Sequence, residues 1–265
     1  VTSLTTGNAE QYGSSERLAA RARLASEYTI SEHPWFAWVA SHLPMKTGDR
    51  IVDVGCGPAW FWEGAGAVPG GLDLTLTDLS QGMVEEAMKR CGSLPFAAVA
   101  GQTADAASLP FEDGSFDGAI AMHMLYHLTD PAVAVAEMHR VLKPGGFLAV
   151  TTNGANNMRR LYELTTAFGG TPYDPAAAAF GFSDAERLLQ ERFGNVKSYV
   201  HPAHMRVTSP DDVFLALTSY PPGDQADDRQ LIAFKDAIQS AFAEGGGALD
   251  VPKETGLFLA IKDNS

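Results

Sequence analysis

Short apolar runs alternate with stretches of helical period along this chain. Ile51-Val52-Asp53-Val54 is rich in β-branched residues, and Leu72–Thr77 alternates apolar residues with Thr; both read as strands. Phe96–Ala100, Phe116–Met122, Phe147–Thr152, Asn195–Pro202 and Leu257–Ile261 read the same way. Helical patterns fill the gaps. One covers Gln81–Arg90 behind Ser80 as N-cap, and one runs from Asp130-Pro131, an N-cap with Pro at N1, to about Lys143. Pro144-Gly145-Gly146 stops it. Further helices are predicted near Met158–Phe168, from Ser183 to Phe193, from Ser209 onward, and from about Asp227 to Glu244. Two more, Glu10 to Tyr28 and Pro34 to Leu43, precede the first strand. Strands interleaved with helices predict an α/β fold with a mostly parallel sheet and helices on both faces.

Composition narrows the class. The 265 residues are 45% hydrophobic, enough for one sizeable α/β domain with an added cap. Lys and Arg number 19 against 32 Asp and Glu, for a formal charge of −13. Such a chain repels phosphate backbones, so nucleic acid is not an expected partner. Cys56 and Cys91 form neither a disulfide framework nor a metal-ligand pattern, so no metal is expected and a reducing cytoplasm is the expected compartment. No apolar run approaches a membrane span, and no signal-peptide or repeat pattern is visible.

The chemistry centres on the end of the first strand, Asp53-Val54-Gly55-Cys56-Gly57-Pro58-Ala59. A strand, a glycine turn and a helix together form the nucleotide-binding start of an open parallel sheet. The dinucleotide fingerprint G-x-G-x-x-G needs its third Gly where this chain has the bulky Trp60, which argues against a nicotinamide oxidoreductase. Asp78 ends the next strand, near the roughly 20-residue offset at which an acid takes ribose hydroxyls. His123, Tyr126 and His127 follow the fourth strand, at the edge where open α/β sheets bind ligands.

The Asp53–Ala59 string resembles motif I of the class I S-adenosylmethionine-dependent methyltransferases, with Ala59 in place of the third Gly. Three further segments fall in register with it: Thr77-Asp78-Leu79-Ser80-Gln81-Gly82-Met83, Ala104-Asp105-Ala106-Ala107-Ser108-Leu109-Pro110-Phe111, and Leu142-Lys143-Pro144-Gly145-Gly146. Together they span residues 53–146, about a third of the chain, and they are most similar to the type 11, small-molecule group. The resemblance implies a Rossmann-like seven-stranded sheet with S-adenosylmethionine as cofactor and S-adenosylhomocysteine as product. Its cofactor residues would be Asp53, Gly55, Cys56, Gly57, Asp78, Leu79, Met83, Asp105, Ala106 and His123. Asp78 would take the ribose, Met83 the adenine face, and Asp105-Ala106 the adenine edge.

The implied reaction is in-line methyl transfer to a small-molecule acceptor, with His123, His127 and Tyr126 as candidate catalytic residues. A protein that binds the cofactor without transferring methyl would keep the same motifs. The implied organisation is an N-terminal helical lid over 1–45, a cofactor-binding core over 46–152, and cap helices with completing strands over 153–265. Tyr12, Arg17 and Arg21 are candidates to reach in from the lid, Tyr12 as a substrate contact, and equally suit a solvated helix docked by its Leu and Ala. Of Trp60 and Trp62, one packs and the other walls the pocket; Trp62 is the candidate for substrate contact. Arg159, Arg160 and Arg206, with His201 and His204, are cations near the cap that suit an anionic acceptor, and equally suit pairing with surface acids. Nothing in the sequence sets the oligomeric state.

Overall fold

The computed structural model describes residues 23–264. Its main sheet has seven strands: β2 (Arg50–Val54), β3 (Asp73–Asp78), β4 (Ala98–Thr103), β5 (Phe116–Met122), β6 (Leu142–Asn153), β7 (Lys197–Val200) and β10 (Thr255–Ile261), in the order β4-β3-β2-β5-β6-β10-β7. Strands β4, β3, β2, β5 and β6 are parallel, whereas β10 runs antiparallel to both β6 and β7. Ile51, Val52 and Val54 of β2 are fully buried, as a strand covered on both faces requires. Chain direction through the sheet switches at β2, which has β3 on one side and β5 on the other. The turns leaving β2, β3 and β5 therefore converge at the carboxyl edge, where such sheets bind ligands.

Helices α1 (Trp35–His42), α2 (Trp60–Gly64), α3 (Gln81–Cys91) and α4 (Pro131–Val141) cover this sheet. The helix after the glycine turn is as short as expected, five residues. Ser80 caps α3 by accepting from Met83 N, and Asp130 caps α4 by accepting from Ala132 N. The third strand begins two residues later than expected. The fifth includes the Leu142–Gly146 turn, where Leu142 pairs with Phe116.

The cap departs from expectation. It is not purely helical but is built on an antiparallel sheet of β1 (Thr29–Ser31), β8 (Ala203–Val207) and β9 (Leu249–Pro252), in the order β1-β8-β9. Helices α5 (Arg159–Thr165), α6 (Pro175–Ala179), α7 (Phe182–Phe193), α8 (Pro210–Leu217) and α9 (Asp228–Glu244) complete the chain. A core of its own joins Leu24, Leu161, Met205, Val213, Phe234 and Val251. The segment before the first core strand thus supplies both a buried leucine and an edge strand to the cap. The helix expected to reach Tyr28 gives way to β1 at Thr29, because Thr29–Ser31 finds a pairing partner in Ala203–Met205.

Candidate functional site

The turn after β2 is shaped by backbone that only glycine adopts freely. Gly55 and Gly57 have φ of +67° and +51°. A Cβ on Gly55 would lie 2.9 Å from the Met124 side chain, so that residue must be small. A Cβ on Gly57 would meet nothing within 4 Å, and this open space faces a cavity. Ala59, where the family pattern has its third Gly, also takes a left-handed φ of 59° as α2 begins. Cys56 N donates to Thr77 O at 2.9 Å, and Gly57 N donates to Asp78 Oδ2 at 3.0 Å. Asp78 Oδ1 accepts from Ser80 N at 2.9 Å. Asp78 therefore clamps the glycine turn to the end of β3 as well as lining the cavity. Burial raises its carboxyl pKa, and the backbone donors act against that rise.

Asp53 lies beneath the turn, 1% exposed. Its Oδ2 accepts from Trp62 Nε1 at 2.8 Å, while Oδ1 is buried without a hydrogen-bond partner. Burial pushes this carboxyl up to about 7; the Trp62 hydrogen bond opposes the rise and the charge of Asp78 adds to it. Trp62 is therefore not a substrate contact. It is 3% exposed, with its ring edge-on to Phe61 at 4.9 Å and to Phe96 at 5.4 Å. Trp60 lines the cavity instead. Residues two apart on an α-helix point about 200° apart, so only one of the two indoles can face the ligand side.

The cavity encloses about 1420 Å³. Gly57, Asp78, Leu79, Met83, Asp105 and Ala106 line one part of it, which brings together the residues of the first three motifs. Asp105 Oδ1 accepts from Ala107 N at 2.9 Å. His123, Tyr126 and His127 line it as well. His123 takes a left-handed φ of 51°, uncommon outside glycine, and its backbone N donates to Thr151 Oγ1 at 3.0 Å. Burial, with the charges of Lys253 and His127, lowers His123 to about 3, so it is a neutral imidazole at pH 7. Trp35 of α1 packs its ring 5.6 Å from His123 and 5.3 Å from His201, and all three line the cavity.

Sequence reasoning missed a polar wall. Asp174, 2% exposed, accepts on Oδ2 from Asn153 Nδ2 and Asn157 Nδ2, both at 2.8 Å, and on Oδ1 from Ala176 N at 2.9 Å. Asn157 Oδ1 accepts from Glu254 N at 3.1 Å. Tyr162, Tyr220 and Lys253 line the same cavity, and the charge of Asp174 reaches both Tyr162 and Lys253. Asp174-Pro175 carries the same N-cap signal as Asp130-Pro131, and Asn153 ends a strand at the ligand edge; both were findable. Lys253, in a short turn between β9 and β10, carries no local signal.

The expected cap cations lie elsewhere. Arg159 pairs with Glu163 at 3.4 Å and Arg206 with Asp250 at 2.9 Å; Arg160 and His204 are exposed, and none of the four lines the cavity. Arg159 and Arg206 follow the other reading, surface pairing, which contributes only about 0–1 kcal/mol, and Arg160 and His204 lie on the exposed surface. His201 does line the cavity, with Nε2 2.9 Å from His33 O. Tyr12, Arg17 and Arg21 lie outside the described residues. No group of three or more His, Cys, Asp or Glu among the described residues is placed to hold a metal.

Comparison with known proteins decides the family of this segment: residues 52–150 match the family described as a methyltransferase domain. Residues 52–150 are a methyltransferase domain. Relatives of this domain include the O-methyltransferase resE of Aspergillus sclerotiorum, 39% identical over 117 residues, covering 42% of this chain and 42% of that protein. The chain spans from 31% to 62% of the length of the curated relatives it matches. Among solved structures, the YcgJ protein of Bacillus subtilis superposes with a TM-score of 0.62 at 17% identity, covering 87% of this chain and 98% of that one. The [4+2]-cyclase SpnF superposes with a TM-score of 0.55 at 20% identity, covering 100% and 98%. At these identities the two structures show that the methyltransferase domain sits in a shared Rossmann-like fold, and nothing further.

Proposed function

We propose that this protein binds S-adenosylmethionine against the Gly55–Gly57 turn and transfers its methyl group to a small-molecule acceptor in the same cavity. One observation carries the reading: the residues of three separate motifs line one cavity of about 1420 Å³. Pockets for a single small ligand run to roughly 300–1,000 Å³, so this one has room for cofactor and acceptor together. The residues present fit the cofactor. Its methionine end carries an ammonium and a carboxylate. The orphaned Oδ1 of Asp53 suits the cation, and the bare backbone at Gly57 suits close approach. Asp78 would take the ribose hydroxyls with its remaining lone pairs.

When bound, the sulfonium supplies an electrophilic methyl. The chain's own contribution is then chiefly to hold the acceptor in line and exclude water. Neutral His123, fixed by its backbone and by Trp35, is a positioning wall rather than a strong base. The acidic surface favours a small acceptor over nucleic acid. Cys56 and Cys91 are both free, which suits a reducing cytoplasm, and no described helix is long and apolar enough to cross a membrane.

The test is calorimetry with S-adenosylmethionine, S-adenosylhomocysteine and NAD. The first two are expected to bind and NAD is not, and a candidate acceptor should then yield S-adenosylhomocysteine. Tight NAD binding without sulfonium binding would sink the proposal. Cofactor binding with no product from any acceptor would favour a non-transferring role on the same fold.

A further inference from the structure

The part of the cavity walled by Asp174, Tyr162 and His201 has a charge that the proposed transfer leaves unused. Lys253 is half-buried and lines the cavity. No hydrogen bond or salt bridge ties down its Nζ among the described residues. Asp174 is the acid that acts on it, but both Asp174 oxygens already accept from Asn153, Asn157 and Ala176. The other titratable groups around Lys253 carry no compensating negative charge. Burial and the Lys253 charge keep His123 and His201 neutral at pH 7, and Tyr162 holds its proton far into the basic range. Burial also lowers Lys253 itself to about 8, with Asp174 opposing that fall. A cation in such a place is stabilised most simply by an anion that arrives with the ligand.

The rest of the lining states what kind of anion. Trp35, Phe36, Met122 and Met158 give the cavity apolar walls suited to a flat, apolar body. The cation is a single ammonium, a compact point charge, and not the guanidinium fork that matches a carboxylate or phosphate two-pronged. It suits one oxygen.

Resting on the proposed methyl transfer, we infer that this part of the cavity is an oxyanion site, in which Lys253 Nζ holds one acidic hydroxyl of the acceptor, of the phenol or enol class, as its anion. The O–H bond breaks and its proton leaves to the solvent, because Lys253 is already the ammonium; the product is an ammonium–oxyanion pair, and no other bond changes. The oxygen then has a full lone pair for attack. One adjacent ammonium lowers a hydroxyl's proton affinity by only about 1–3 pH units, so simple alcohols keep their proton and the site selects phenols and enols.

The test reads ionisation directly. Protein saturated with S-adenosylhomocysteine, whose sulfur is uncharged, is titrated with para-nitrophenol across a pH series, and the visible absorbance of the phenolate is followed. The bound probe is expected to ionise about 1–3 pH units below the free probe, the range an adjacent opposite charge produces. Lys253→Met should abolish that displacement while S-adenosylhomocysteine affinity stays intact, and Lys253→Arg, which keeps the charge, should retain it. A wild-type protein that leaves the probe's ionisation unmoved, or fails to bind it, overturns the inference, as does a Lys253→Met protein that displaces it as strongly as wild type. Should Lys253→Met not fold, wild type and Lys253→Arg decide, because equal displacement in both supports the site and displacement in neither overturns it. Benzoate that displaces the probe at lower concentration than phenol assigns the site to carboxylates and overturns the hydroxyl class. Absence of S-adenosylhomocysteine binding, visible before any probe is added, is the distinct failure of the underlying reading.

Discussion

Two carboxylates divide the work at the glycine turn, and their environments separate them. Asp53 is raised from its ordinary 3.8 to about 7 because burial penalises its charge. The folded protein therefore keeps a proton that the unfolded chain has released, and stability falls as pH rises from about 4 to about 7. Asp53→Asn should flatten that fall in melting temperature measured without ligand. A cationic ligand beside Oδ1 favours the ionised form, so S-adenosylmethionine affinity should weaken as pH drops below about 7, and an affinity independent of pH would remove Asp53 from the site. Asp78 has a different role. Because it accepts from Gly57 N and Ser80 N, Asp78→Ala costs stability as well as affinity. Leaving such donors without their charged acceptor is worth about 1.5–3 kcal/mol each before water compensates. We expect a lower melting temperature in the free protein together with a cofactor affinity reduced at least about tenfold. Lost affinity at an unchanged melting temperature would show that the clamp carries no stability.

At the scale of elements, β8 shows how a pattern can be read for the wrong property. Ala203-His204-Met205-Arg206-Val207 alternates outward and inward residues, with Met205 and Val207 buried and His204 and Arg206 exposed. As a cluster of cations it suggested an anion site; as a period-2 strand it places those same cations on solvent. Met205→Ala should cost about 2–5 kcal/mol in denaturant unfolding, the range for emptying a packed core site. Arg206→Met should stay within about 0.5 kcal/mol, as for surface substitutions, and leave cofactor affinity unchanged. Equal effects of the two changes would contradict the assigned faces. Helix α2 makes the same point over a shorter distance. Trp60 and Trp62 are chemically alike, yet helical geometry turns one to the cavity and the other to Asp53.

For the whole molecule, the division between what was legible and what was not follows the range of the interactions. The strand-turn-helix units, the order of motifs and the grouping of Asp53, Gly57, Asp78 and Asp105 at one sheet edge follow from local signals: β-branched runs, glycines at positive φ, N-caps and the fixed topology of parallel α/β units. The sequence by itself determined these, because each signal spans a few positions and the topology of parallel α/β units sets the strand ends side by side. The second sheet did not follow, since β1, β8 and β9 come from three distant segments whose pairing no local pattern encodes. Nor did the polar wall of the cavity around Asp174. Asp174, Asn153 and Lys253 are widely separated in the chain and meet only because the cap folds back over the carboxyl edge of the main sheet. Their hydrogen bonds and the lowered proton affinity of Lys253 arise from shared burial, a property of the packed molecule that tertiary structure alone decided.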